Sequence, residues 1–156
     1  MLLEDEMKRF DIAIAYEWQT VLLRENVKYS YPLAITPFMR SRYREPGIFR
    51  WNIYGKAGED KKLFYIGEAQ EICPRRLYGY LNPGPTQQSN KKIKAEFEAY
   101  LKEGLNVGLD ICSVTELKLD GLSLDKEALS DKYNRRLIVA AMVVEHRKKG
   151  LTVLDL

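Results

Sequence analysis

Histidine is almost missing from this chain: His146 is its only one. Cysteine is nearly as scarce, with Cys73 and Cys112 far apart and forming no CxxC pair. Together these scarcities argue against a zinc centre. They leave the two cysteines as reduced thiols, as expected of a cytoplasmic protein. No apolar run approaches the roughly 18 residues that a membrane span requires. The N-terminus is acidic and amphipathic, with no basic stretch leading into an apolar core, so no secretory signal is expected. Internal repeats and low-complexity tracts are also missing, which excludes solenoid and linker classes.

What remains is the composition of an ordinary globule, 46% hydrophobic and 30% charged over 156 residues. That length suits a single domain and buries a sizeable core without disulfide or metal staples. Tyrosine is the conspicuous excess, with 10 copies. It brings both packing area and a hydroxyl. The net charge of +3 is mildly basic. Its distribution says more: Arg40, Arg42 and Arg44 crowd together, Arg75 and Arg76 follow, then Lys91, Lys92 and Lys94. Such clusters suit phosphate contact, although a solvated surface explains them as well.

Along the chain, Leu3, Met7, Phe10, Ile14, Trp18, Val21 and Leu22 recur at three- and four-residue spacing. This predicts an amphipathic helix over Leu2–Glu25, with Glu4, Asp5 and Glu6 at its dipole-favoured start. Its expected role is packing on the domain, with a homodimer contact as the alternative. Tyr29–Arg44 carries Pro32 and Pro37 and reads as an irregular connector. Gly47–Tyr54 and Leu63–Ala69 read as an antiparallel hairpin around a polar turn, with Phe49, Trp51 and Ile53 on one face. A helix follows over about Pro74–Tyr80 and stops before Asn82-Pro-Gly-Pro85. Ser89 or Asn90 is the expected cap of a further helix over Lys91–Glu103, which Gly104 ends. Val107–Lys118 alternates as a third strand, and Leu119–Ser130 is a connector with helical turns. Asp131–Lys149 is the clearest helix, closed by Gly150, and Leu151–Leu156 is a short apolar tail that packs as a strand.

The ordered set Gly47-Ile48-Phe49, Tyr65-Ile66-Gly67, Arg76-Leu-Tyr-Gly-Tyr80 and Asn82-Pro-Gly-Pro-Thr-Gln-Gln-Ser-Asn90 resembles the GIY-YIG nuclease superfamily. The loop is similar to that of a bacterial and phage branch. The resemblance runs from about Gly47 to the C-terminus. It implies an α/β (α+β) fold: a small, mainly antiparallel three-stranded sheet flanked by helices, occupying residues 47–156. Residues 1–46 would add the N-terminal helix and connector, packed on that core.

The resemblance also implies a metal-dependent endonuclease that hydrolyses phosphodiester bonds of DNA, with Mg²⁺, or Mn²⁺ in its place, as the cofactor. In that scheme Tyr65 activates water, Arg76 stabilises phosphate charge and Tyr80 hydrogen-bonds phosphate or water. Such roles match what phosphodiester cleavage demands: an activated nucleophile and stabilised transition-state charge. Arg42, Arg44, Arg75, Asn90, Lys91 and Lys92 would line the nucleic-acid path.

Three positions depart from the pattern. Phe49 stands where the resemblance implies a tyrosine, and keeps the ring without the hydroxyl. Val139 stands where a metal-binding glutamate is implied. Glu145, the nearest helical acid, is six residues on, about 240° around the helix, and is the candidate metal ligand. Asp155 replaces a closing asparagine. His146 reads as surface or helix-end structure. The alternative to an active nuclease is a degenerate GIY-YIG fold that binds nucleic acid or a protein without cutting.

Overall fold

The computed structural model describes residues 6–55 and 62–155. Its spine is β4 (Gly47–Tyr54), whose neighbours are β5 (Lys62–Ala69) and β6 (Asn106–Leu119). Both pairings are antiparallel, with Phe49 opposite Gly67 on one side and Ile111 on the other. The hairpin and the third strand therefore form as the alternation predicts. The sheet is larger than three strands, however. Its order is β1 (Ile12–Thr20), β6, β4, β5, β8 (Thr152–Val153), and β7 (Leu122–Leu124) pairs with the far end of β6. The sheet is mixed, because β8 runs parallel to β5.

The largest correction lies in the N-terminal segment. Ile12–Thr20 is a strand, and Leu22–Arg24 (β2) forms a small ribbon with Val27–Lys28 (β3). Helical spacing and strand alternation coexist in this sequence: Ile14 and Trp18 fit both, and Tyr16 fits only the second. What decides between them is β6, a strand of 14 residues whose edge pairs with the whole of β1. Pairing turns Ile14, Tyr16 and Trp18 inward and leaves Ala13, Ala15 and Glu17 exposed. β-branched and aromatic side chains fit that half-buried pleat. Met7 and Phe10 are exposed ahead of the strand, and Leu2 and Leu3 lie outside the described residues. A homodimer built through an N-terminal helix consequently has no helix over Ile12–Arg24 to use.

The connector is also more ordered than its prolines suggest. Pro37 opens a short helix, α1 (Pro37–Arg42), and the Thr36 hydroxyl accepts from the Met39 N–H at 3.2 Å. Tyr29, Tyr31 and Met39 are buried in the core. After β5 the chain winds through Ile72–Arg76 into α2 (Leu77–Leu81), then α3 (Gln88–Lys102). Gln87, with no capping side-chain bond, precedes α3; neither Ser89 nor Asn90 caps it. Asp131 caps α4 (Lys132–Lys148) by accepting from the Tyr133 N–H at 2.7 Å. Gly104 and Gly150 follow α3 and α4 at φ +85° and +79°, the left-handed region that favours glycine.

Two apolar clusters cover the two faces of the sheet. On one, Phe49, Trp51 and Ile53 pack with Leu77 and Tyr80 of α2, Ile93 and Phe97 of α3, and Tyr29, Tyr31 and Met39. On the other, Ile48, Ile66, Cys112 and Leu117 pack with Ile138 and Met142 of α4. Alternation along β4 and β5 thus sorts neighbouring residues to opposite layers. No helix among the described residues is long and apolar enough to cross a membrane.

Candidate functional site

Gly67 and Phe49 face each other across β5 and β4. A Cβ added to Gly67 would sit 2.7 Å from the tip of the Phe49 ring. The ring therefore lies across the strand, in space that only glycine leaves open. It is 2% exposed and meets Tyr80 edge-on, centroids 6.0 Å apart. Phe49 thus packs as core and helps fix Tyr80, without contributing a hydroxyl. Tyr54 follows the strand parity and lies exposed at the end of β4, away from this face.

Two residues before Gly67, Tyr65 emerges half-buried on the same face. Its hydroxyl and that of Tyr80 act on each other, and the Arg76 charge reaches both. Burial raises the Tyr65 ionisation above the ordinary tyrosine value. Tyr80's hydrogen bond and Arg76 oppose the rise, while Asp155 adds to it. Tyr80 is buried, so desolvation pushes its ionisation far up. α2 is anchored from below as well: the Tyr31 hydroxyl donates to the Tyr80 carbonyl at 3.0 Å. The structure therefore brings Tyr65, Arg76 and Tyr80 together, with Asp155 as a carboxylate whose charge reaches Tyr65. The Tyr80 hydroxyl donates to Tyr65, and the Tyr65 hydroxyl, protonated at neutral pH, is the donor left to face an anion.

The cations sort less evenly. Arg75 is exposed beside Arg76. The Cys73 N–H donates to the Tyr43 carbonyl at 2.9 Å, tying the turn before Arg75 to the end of α1. There the Arg40 and Arg44 charges reach Cys73, whose thiol burial pushes up to about 11. Arg44 accordingly belongs near the Arg75–Arg76 turn. Arg42 faces another cleft, lined also by Tyr43, Ser113 and Lys126. Asn90 leans on α2: a Cβ on Gly79 would fall 3.0 Å from its Nδ2. Gln87 Oε1 accepts from the Gly84 N–H at 2.9 Å and from Asn90 Nδ2 at 3.3 Å. Lys91 donates to the Pro85 carbonyl at 2.9 Å, and Lys92 is exposed. The Asn82–Asn90 loop is thus folded onto itself and held against α2.

Glu145 is not at this site. It lies on α4, in the opposite layer, where it accepts from the Tyr16 hydroxyl and from Lys149 Nζ at 3.1 Å. Val139 is half-buried in the same layer. Magnesium commonly takes one or two carboxylates plus waters. The Asp155 charge reaches Tyr65 and the Glu68 charge reaches Tyr80, but Glu68 is already bonded to Arg135 of α4 at 2.6 Å. Among the described residues no three His, Cys, Asp or Glu side chains gather into a metal-holding group. The donor set does not fit the metal role assigned to Glu145.

Sequence reasoning missed a second polar centre on the α4 face. Arg50 Nε donates to Asp110 at 2.8 Å, and Asn52 Nδ2 donates to the same carboxylate oxygen at 2.8 Å. The Arg50 guanidinium lies 4.4 Å from the Trp18 ring and 4.7 Å from the Phe64 ring. His146 lies in the last turn of α4, as its helix-end reading expects, but it is 2% exposed and so not on the surface. Its Nδ1 meets the Met142 carbonyl at 2.7 Å, so Nδ1 carries the proton and Nε2 accepts from Arg50 Nη1 at 2.9 Å. The available signal was Asp110, a lone acid inside the apolar run Val107–Cys112.

Comparison with known proteins finds no matching family model, no matching curated protein and no matching solved structure.

Proposed function

We propose that this chain is a nucleic-acid-binding domain on a GIY-YIG-like core, in which Arg76 and the Tyr65 hydroxyl receive a backbone phosphate of DNA and the buried Tyr80 holds Tyr65 from behind. The observation that carries this reading is the convergence of those three side chains on one face. Arg76 supplies a permanent charge and a planar set of donors matched to phosphate oxygens. Tyr65 adds a half-buried neutral donor, and Tyr80, fixed by core packing, positions it. Arg75, exposed beside Arg76, and Arg44 extend the positive surface, and Asn90 adds an amide donor against α2.

Binding fits this geometry better than hydrolysis for a chemical reason. A base must be deprotonated, and Tyr65 is held above the ordinary tyrosine value. Hydrolysis is the second reading, and the observation favouring it is the same group of side chains with Asp155 close to Tyr65.

Fluorescence anisotropy with labelled duplex DNA across a salt series tests the first reading. Arg76→Ala should weaken binding about tenfold or more, since a charge-assisted contact is lost. The slope of log affinity against log salt should fall by about 0.9 for one phosphate. Salt-insensitive or undetectable binding by the wild type would overturn the reading. Plasmid incubation with magnesium, manganese or chelator tests the second. Metal-dependent nicking that Tyr65→Phe abolishes would replace binding with cleavage.

A further inference from the structure

We propose that a cleft on the outer side of α2 holds one unstacked nucleobase of a single strand, with Tyr78 as its stacking platform. The proposal rests on the nucleic-acid reading of α2. The cleft has a volume of about 430 Å³ and lies between α2, α3, α1 and the turn after Tyr31. That volume is within the range of pockets for small planar ligands.

Tyr78 is a large aromatic left 56% exposed, so core packing does not account for it. It is two residues from both Arg76 and Tyr80, about 200° around the helix, and so faces away from the phosphate group. Pro32, Ala34 and Ile35 give the cleft an apolar wall. Asn82, at the end of α2, offers an amide donor and acceptor, the pair that reads a base edge. Arg40 lines the cleft from α1, and Lys94 and Glu98 line it from α3 as an ion pair at 3.9 Å. An aromatic plane, a bidentate amide and the Arg40 cation are what a nucleotide requires: stacking, edge hydrogen bonds and phosphate charge. A duplex keeps its bases stacked and cannot fill the cleft without unpairing one.

The Tyr31 hydroxyl, donating to the Tyr80 carbonyl at 3.0 Å, joins the cleft wall to the helix that carries the phosphate site. A strand crossing α2 would thereby set a phosphate on Arg76 and turn a neighbouring base over Tyr78.

The test uses the full chain with three probes: a short mixed-sequence single strand, its duplex, and adenosine monophosphate. Wild type should bind the single strand more tightly than the duplex. Tyr78→Ala should weaken single-strand binding about tenfold, leave duplex binding unchanged, and abolish chemical-shift changes on titration with the mononucleotide. Tyr78→Phe should restore single-strand binding, because the ring stacks without its hydroxyl. Equal single-strand affinity of Tyr78→Ala and wild type would overturn the proposal. If Arg76→Ala still weakens duplex binding in that case, the phosphate reading survives alone. Tyr78-dependent binding of the mononucleotide with no polymer binding would overturn both readings and leave a free-nucleotide cleft in their place. Absence of binding to all three probes would overturn both.

Discussion

The two faces of the central sheet carry polar groups of opposite character. On the α2 face, Tyr65, Arg76 and Tyr80 stand at the margin of an aromatic core, and Tyr65 and Arg76 are only half-buried. On the α4 face, Arg50, Asp110 and His146 are locked to one another beneath Trp18 and Phe64. Arg50 Nε and Nη1 are paired inside the protein, and Asp110 is taken up by Arg50 and Asn52. Arg76 makes no hydrogen bond or ion pair to another side chain among the described residues, and it sits near the half-buried Tyr65 hydroxyl, which can donate outward. The contrast separates a group that holds the fold from one that can act on something else. An arginine near tyrosines on a strand is not informative by itself; whether its donors are already spent is.

The sharpest break of this contrast is Asp110→Ala. It leaves Arg50 in a mostly buried site without its anion, which should cost about 3 kcal/mol or more. Urea denaturation measures the loss, while Arg76→Ala should leave the urea midpoint nearly unchanged. A comparable drop for both variants would erase the distinction between the faces.

Next in size is Gly67→Ala. Its Cβ would meet the Phe49 ring at 2.7 Å, so ring and strand must shift, at about 1–3 kcal/mol. Because Phe49 packs on Tyr80, phosphate binding should weaken along with stability. Unchanged melting temperature and affinity would show that the Phe49 ring has room elsewhere.

The pH dependence sharpens the α4 side further. Burial holds His146 below its ordinary value of 6.5, and the Arg50 charge opposes its protonation as well. The unfolded chain therefore takes up a proton first as pH falls. The stability that neutral His146 contributes is present above about pH 6.5 and is lost as pH drops toward the folded-state value. Glu145, Lys149 and the Tyr16 hydroxyl surround the same helix end, and Asp110 lies across Arg50. His146→Gln should flatten the urea midpoint between pH 7 and pH 5 relative to wild type. An equal slope in both proteins would assign the acid sensitivity to another group.

The smallest expected effect is that of Glu145→Ala on the tyrosine face. Its removal should change nucleic-acid affinity by less than about twofold, since the residue lies in the other layer. Its pair with Lys149 is partly exposed and contributes about 0–1 kcal/mol. A large loss of binding or of metal-dependent nicking would place Glu145 functionally where the geometry does not.

Much of this fold was legible locally. The Gly47–Tyr54 and Leu63–Ala69 hairpin, the Val107–Lys118 strand and the Asp131–Lys149 helix follow from alternation, turn residues and caps that act over a few residues. Gln87 taking the place of Ser89 or Asn90 before α3 is a small miss of the same local kind. The N-terminal segment is different. Its apolar residues satisfy a helical stripe and a strand face at once, and only the free edge of β6, some 90 residues later in the chain, selects the strand. Six strands instead of three follow from this, together with short β7 and β8, which are too brief to carry a pattern of their own.

The site divides along the same line. The sequence by itself determined which chemistry-bearing residues exist and in what order: Tyr65 two residues before a glycine, Arg76 and Tyr80 one helical turn apart. It also determined that positions 49 and 139 carry no hydroxyl and no acid. Only the tertiary structure decided which of these residues meet. It put Tyr65 with Arg76, Tyr80 and Asp155, moved Glu145 to the far layer, and buried His146 against Arg50. The physical reason is that strand parity sends adjacent residues to opposite faces, while long-range pairing decides which helix covers each face. Residue type and spacing are local properties, and convergence is not.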